Sequence, residues 1–244
     1  MSGHSKWHNI QVRKGKQDQK KSASFTKVAR LITVAARNGG GDQNMNFTLR
    51  LALEKAKEVN LPKENIERAI KKGTGDLAGE AQLEEITYEG FGPGGIGVLV
   101  DVVTDNKNRT ASDMKHIFSL HGGSMAGPGS VKWQFARLGV VRLDAVQKEK
   151  VKTKKSDFDL TLIDAGADDI IESDFGTEIR CKVESFQKLL EAVKSQGIEP
   201  ASAELEWVAK ENMSVSPEVS EQMGKLYDAL EENDDVRAVY TNEA

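Results

Sequence analysis

The sequence predicts an α+β protein of three domains: an N-terminal three-helix domain, a split α+β domain, and a ferredoxin-like α+β domain inserted into the split one. Three observations carry this. Apolar residues recur every three or four positions up to about Ala78, and β-rich runs follow. From Val140 to Val208 the elements read β-α-β-β-α-β, the ferredoxin-like order. On either side lie β-β-α-β and α-β, which complete one unit only if the middle is an insertion. The expected boundaries are 1–78, then 79–136 with 209–244, and 137–208 for the insert.

The first helix carries Phe25, Val28, Ala29, Ile32 and Ala36 on one face, with Ser22 or Ser24 as its N-cap. Gly39-Gly40-Gly41 ends it, since glycine readily takes the left-handed C-terminal conformation. A second helix follows Asn46, with Leu49, Leu53, Ala56 and Val59 along one side. Asn60 is expected to cap a third, with Pro62 in its first turn, Ile66, Ala69 and Ile70 inward, and Gly73 as its stop. Before Ser22 there is no apolar period, and the segment reads as an arm that orders on binding.

Ile86–Tyr88 and Ile96–Val103 read as strands, and Thr110 with Asp113 as a capping box. That helix runs through Met114, Ile117, Phe118 and Leu120 to Gly122-Gly123. Val131–Phe135 and Val140–Leu143 read as two strands, Phe158–Ile163 as a helix face, and Ile170–Ser173 and Glu178–Val183 as strands around a turn. Phe186, Leu189, Leu190 and Val193 mark a helix closed by Gly197. A strand at Ala203–Val208, a helix at Val219–Leu230 and a strand at Val236–Tyr240 complete the chain.

"YEGFGPGGIGVLVD", Tyr88 to Asp101, contains G-x-G-x-x-G at Gly90, Gly92 and Gly95. A dinucleotide site needs a helix after those glycines, because the helix N-terminus holds the pyrophosphate. Here "IGVLVDVV" follows, which is β-branched and without helical period. The glycines therefore predict a hairpin turn, with Phe91 and Pro93 exposed at its tip. No cofactor is expected. His4 and His8 lie in a basic arm that would repel a divalent metal, and His116 and His121 belong to a helix, so no metal site is expected. Paired acids such as Glu84-Glu85 and Asp168-Asp169 are common in an acidic body. No Ser/His/Asp or Cys/His set stands out. The chain is expected not to be an enzyme.

Charge is the informative feature. The net charge is −4, but residues 1–41 hold nine basic side chains against the single acid Asp18. The balance through Ala78 is +9, leaving −13 on the rest. A basic head on an acidic body is the asymmetry of a nucleic-acid binder, with the body repelling the phosphates that the head attracts. The candidate contacts are Lys6, Arg13, Lys14, Lys16, Lys20, Lys21, Lys27 and Arg30, with Trp7 as a stacking residue or a packing one. A second candidate is the glycine-rich loop "HGGSMAGPGSVKW", bearing Ser124, Met125 and Lys132, read as plain connection or as a mobile probe of a partner. The lone Cys181 reads as a small core residue. One cysteine, no apolar leader and no apolar run of membrane length place the expected protein in a reducing cytoplasmic compartment, away from membranes. No element announces a dimer, so a monomer is expected.

Taken together, "GHSKW", "NGGGD", "LPKENIERAIKKGTG", "YEGFGPGGIGVLVDVVTDNKNRTASD", "GGSMAGPGSVKWQF" and "DDVRAVY" resemble the YebC/PmpR family over nearly the whole chain. The resemblance implies one helical and two α+β domains and a non-enzymatic regulator of gene expression. Members are commonly labelled probable transcriptional regulators that bind DNA. Others, including the mitochondrial translational activator of cytochrome c oxidase, act on the ribosome and are associated with relief of stalling at proline-rich stretches. The implied partner is ribosomal RNA on the large subunit, or promoter DNA. The chain departs most from the family at "VQKEKVKTKKS", Val146 to Ser156, read as a solvated loop, with a second basic contact as the alternative.

Overall fold

The structure, a computed structural model, describes residues 21–77, 83–151 and 155–244. In chain order the elements are α1 (Lys21–Gly39), α2 (Phe47–Glu58), α3 (Lys63–Thr74), β1 (Glu84–Phe91), β2 (Gly97–Thr104), α4 (Lys107–Leu120), β3 (Ser124–Ala126), β4 (Phe135–Asp144), α5 (Ala145–Val151), α6 (Lys155–Asp164), β5 (Ala167–Ser173), β6 (Gly176–Lys182), α7 (Phe186–Ser195), β7 (Ser202–Ala209), α8 (Pro217–Glu232) and β8 (Val236–Thr241). The described residues fall into two compact units, 21–134 with 211–243, and 135–210.

In the first unit, α1 buries Val28, Ile32, Ala35 and Ala36 against Leu49, Ala52 and Ala56 of α2, Leu61, and Ala69 of α3. Asn46 joins α1 to α2. Its Oδ1 accepts from the Leu49 amide at 3.0 Å, which caps α2. Its Nδ2 donates to the carbonyls of Ala35 at 2.7 Å and Gly40 at 2.8 Å, so one buried side chain closes two helix ends.

Three expected termini lie elsewhere. Ser22 and Ser24 fall inside α1, because nothing in "KSASF" breaks the helix. Asn60 does not cap α3. It takes a left-handed φ of 56° and ends α2, while Pro62 stands at the N-cap with no side-chain bond. Gly73 does not stop α3 but lies within it, against the Thr33 carbonyl of α1, and Gly75 at φ 86° is the left-handed cap.

The same unit holds an antiparallel sheet in the order β3-β1-β2-β8. One face carries Ile96, Val98, Val100 and Val102, which pack on Met114 and Phe118 of α4 and Met223, Leu226 and Leu230 of α8. The glycine pattern is a hairpin turn, as expected. Phe91 pairs with Gly97, the Gly92 amide donates to the Ile96 carbonyl at 2.8 Å, and Gly94 and Gly95 take φ of 70° and 81°. Gly90 has a different duty: a Cβ there would stand 2.6 Å from the Phe118 ring. The tip differs from expectation, since Pro93 is buried and Phe91 half-buried.

The α4 N-cap is Asn106, which accepts from the Arg109 amide at 3.1 Å. Thr110 lies one turn inside and is wholly buried, so the expected Thr110–Asp113 box is not formed. Leu120, expected inward, is exposed. β3 was not legible, being three residues among glycines.

In the second unit the antiparallel order is β5-β6-β4-β7. With β4 as first strand this is 2-3-1-4, the ferredoxin-like sheet. The two strands expected at Val131–Phe135 and Val140–Leu143 are one, β4, preceded by a short 3-10 turn at Lys132–Gln134. The Phe186 ring of α7 lies against Gly139, where a Cβ would approach to 2.5 Å. The solvated loop expected after Val146 starts as helix α5. Asp144 accepts from the Gln147 amide at 2.8 Å, and Gln147 Oε1 accepts from the Asp144 amide at 2.9 Å, a reciprocal cap. Lys148 there donates to the Ser173 carbonyl at 2.9 Å. Cys181 is buried, and burial first, with the Asp168 charge, pushes its thiol up to about 11, as suits a packing residue.

Strand alternation puts Arg142 on the sheet face opposite Gly139. Its guanidinium is almost fully buried, with Nε donating to Glu178 at 2.8 Å and Nη2 to Glu206 at 2.8 Å. Burial works against the charge, but Glu206 and Glu178 overcome it and raise the arginine pKa.

Candidate nucleic-acid interface

Of the residues predicted to meet phosphate, Lys6, Trp7, Arg13, Lys14, Lys16 and Lys20 lie outside the described residues. The backbone of Lys21 opens α1, and its side chain too lies outside them. Lys27 and Arg30, one turn apart on α1, are placed and reach across the same unit. Lys27 Nζ donates to the Glu231 carbonyl at 2.5 Å. Arg30 Nη1 donates to Asp235 Oδ1 at 2.5 Å, to the Asp234 carbonyl at 2.9 Å and to the Val103 carbonyl at 3.2 Å. These two cations hold α1 to the turn between α8 and β8.

Asp235 is the centre of that contact. Its carboxylate also accepts from Arg109 Nη2 at 3.0 Å, Thr110 Oγ1 at 2.6 Å and Thr104 Oγ1 at 3.1 Å. Burial alone would raise its pKa, but the bonds from Thr110, Arg109 and Arg30 overcome burial and hold it at about 2. Beside it, Val34, Leu83 and Val103 form a small apolar cluster. Sequence reasoning missed Asp235 because one acid in "ENDDVR" looks like its neighbours. A faint signal was available, since Asp235 precedes a strand directly where a helix has just ended.

The glycine-rich loop is tied down. Glu89 of β1, nearly buried, accepts from the amides of Gly129 at 2.5 Å, Val131 at 2.6 Å and Lys132 at 2.7 Å. Burial would raise the Glu89 pKa, yet those three amides and the Lys132 charge win and lower it. The bonds also explain the missing strand at Val131, whose amide is committed to a carboxylate and not to a ladder. Ser124 and Lys132 are exposed, while Met125 is half-buried against the sheet core. Val131 is fully buried, and Trp133 beside it is 67 % exposed, with its indole N–H donating to the Ser130 carbonyl at 3.0 Å.

Among the described residues no three or more His, Cys, Asp or Glu side chains are grouped to hold a metal ion. No described helix is long and apolar enough to cross a membrane.

Residues 5–76 match the family description "TACO1/YebC protein N-terminal domain", and residues 83–243 match "TACO1/YebC second and third domain". A probable transcriptional regulatory protein of Thermoanaerobacter pseudethanolicus is 48% identical over 99% of this chain and 96% of its own length. One from Persephonella marina is 45% identical over 99% of this chain and 95% of its own. The crystal structure of a conserved hypothetical protein, Aq1575 from Aquifex aeolicus, superposes with a TM-score of 0.82 at 36% identity, covering 93% of this chain and 91% of that one.

Proposed function

From the premise that this chain belongs to the TACO1/YebC family, we propose that it is a non-enzymatic nucleic-acid-binding regulator of gene expression that acts in translation. It contacts ribosomal RNA of the large subunit through its basic arm and relieves stalling at proline-rich stretches. The observation that carries this is the charge asymmetry: nine basic residues in the first 41, and −13 beyond Ala78. The arm residues Lys6, Arg13, Lys14, Lys16, Lys20 and Lys21 supply the phosphate contacts, Trp7 a stacking side chain, and the loop with Ser124, Met125 and Lys132 a second contact.

The alternative is a DNA-binding transcriptional regulator, which the naming of the relatives favours. A duplex reader needs a helix whose exposed side chains reach base edges. On α1, Lys27 and Arg30 are already committed within the molecule. This supports RNA over duplex DNA.

Sedimentation with ribosomal subunits beside a competing promoter fragment tests the reading. Large subunits should carry the protein down. Tight DNA binding with no subunit binding would refute it. Replacing Lys14, Lys16, Lys20 and Lys21 by Ala should weaken RNA binding and flatten the slope of log Kobs against log salt by about 3, near 0.7 to 0.9 per lost contact. An unchanged slope would remove the arm from the interface.

A further inference from the structure

We infer that the outward face of α6 is a docking surface for a short protein segment that carries apolar side chains beside Lys or Arg. The inference goes beyond the nucleic-acid reading above and does not depend on it, because it concerns a different element and a different class of partner.

The helix is apolar on two sides. Phe158 and Leu162, four positions apart, are buried and fill its core side. Leu160 and Ile163, three apart on the other side, are 58% and 57% exposed. A surface helix needs one apolar stripe to reach its core, and its remaining surface is ordinarily polar. A lone exposed leucine is common on any protein. Two apolar side chains at adjoining positions, on a helix whose core side is already filled, make a strip that faces solvent.

The strip is held firmly at its C-terminal end. Lys188 of α7 donates to the Asp164 carbonyl at 2.6 Å. Ser185 lies against Gly166, where a Cβ would stand 2.8 Å from its side chain, so the 3-10 turn Val183–Ser185 adjoins the end of α6. Val183 in that turn is itself exposed and adds a third apolar side chain. A surface fixed in this way loses little conformational entropy when a segment lies on it. Three side chains are far less than the roughly 800 Å² that each partner of a stable complex buries, which suits a short segment and not a folded domain.

Charge selects the occupant. Lysines 150, 152, 154 and 155 precede or open the helix, and their side chains lie outside the described residues. Beyond them, residues 157–184 hold nine acids against Arg180 and Lys182. Asp164 ends α6, the exposed Asp168 and Asp169 follow in β5, and the exposed Glu184 stands beside Val183. Among the described residues no cation forms an ion pair with the Asp164 carboxylate, since Lys188 takes its carbonyl. An acid in the last turn of a helix opposes the helix dipole, and a cation brought by a partner relieves that mismatch. The same acids repel phosphate. They also repel a second copy of this face, so a self-complementary dimer does not suit it. A cationic segment with its own apolar side chains satisfies both the strip and its acidic end.

The test uses the full chain and two labelled peptides of about 14 residues, one of Leu and Lys and one of Leu and Glu, both patterned at the helical period. The Leu/Lys peptide should bind and the Leu/Glu peptide should not. Leu160→Ala with Ile163→Ala should weaken the Leu/Lys peptide about 10- to 100-fold, the loss of two side chains that binding would bury. Its Tm should stay near the wild-type value, because both positions face solvent. Asp164→Asn should weaken binding about 2- to 5-fold without lowering Tm, a pairing that a merely structural acid would not give. Equal binding of the two peptides overturns the inference, as does wild-type affinity in the double alanine variant. Self-association of the wild type that the double variant abolishes would assign the face to a second copy. A loss of RNA binding in the double variant would assign it to nucleic acid, and either result overturns the inference. The quadruple lysine variant of the arm should bind the Leu/Lys peptide as the wild type does, so the arm and this face fail separately.

Discussion

Asp235→Asn should loosen α1 from the turn between α8 and β8. The wild-type carboxylate meets four donor side chains: Arg30, Arg109, Thr104 and Thr110. Asparagine keeps the shape but offers one acceptor oxygen, and its NH2 then faces donors. Holding the carboxyl at about 2, against 3.8 ordinarily, is a preference for the ionised form of roughly 2 kcal/mol. Breaking a fully buried pair costs about 3–5 kcal/mol, but Arg30 and Arg109 keep 20% and 48% of their side chains in solvent. We therefore expect a loss of about 2–4 kcal/mol at neutral pH, between the linkage figure and the buried-pair one. The sign of the pH dependence follows from the lowered pKa. The stabilisation is fully present above 3.8 and is lost as pH falls through about 2. Urea unfolding followed by hydrogen exchange of the α1 amides measures it, with each compact unit tracked separately because two-state behaviour is not assured. The control is Asp234→Asn, whose side chain is exposed and whose carbonyl, the group that Arg30 uses, is unaltered. Coincident curves for Asp235→Asn and wild type at neutral pH would refute the reasoning, as would a difference that persists undiminished down to pH 2.

Two further substitutions test the supports of the candidate interface. Glu89→Gln should deprotect the amides of Gly129, Val131 and Lys132 in hydrogen exchange and cost about 2–4 kcal/mol, since at least one charge-assisted bond is replaced by facing donors; the wild-type contribution is present above the ordinary carboxylate pKa and lost as pH falls through the lowered one, so protection that is equal in both proteins would be the contrary result. Gly73→Ala should destabilise the helical head by about 1–3 kcal/mol in thermal unfolding, despite alanine's better helix propensity, because the new Cβ would stand 2.3 Å from the Thr33 carbonyl and 2.7 Å from Ala36; a rise in Tm would show that α1 and α3 part without cost.

Periodicity made the architecture legible, because the core dictates it. The β-branched run in "IGVLVDVV", buried along the whole of β2, and the 3.6 period of Val28, Ile32 and Ala36 are imposed by burial, and both elements form where the pattern places them. Helix ends were less legible for a physical reason. Several residues near each end can cap, and the winner is chosen by tertiary contacts that spacing does not encode. Asn106 caps α4 while Thr110, equally suited by type, is drawn to Asp235, 125 positions along the chain. Asn60 could have capped α3 but ends α2 in a left-handed turn instead. Acids were the least legible. Glu89 and Asp235 are chemically identical to dozens of solvated carboxylates, and only the converging amides and cations distinguish them.

The cations of the head show the same limit with a consequence for function. Counting charge treats Lys27 and Arg30 as equal to Lys14 or Lys16, since a sequence carries no information about where a side chain is received. The fold receives these two at the end of α8, the α8–β8 turn and β2, where one carboxylate and three carbonyls accept their hydrogen bonds. Of the nine basic residues in 1–41, six stand at or before Lys21 and Arg37 beyond it, so the charge left for the proposed phosphate contact concentrates toward the start of the sequence. In the proposed function, a contact so short and so basic supplies affinity without reading sequence. Selectivity must then come from elsewhere on the molecule.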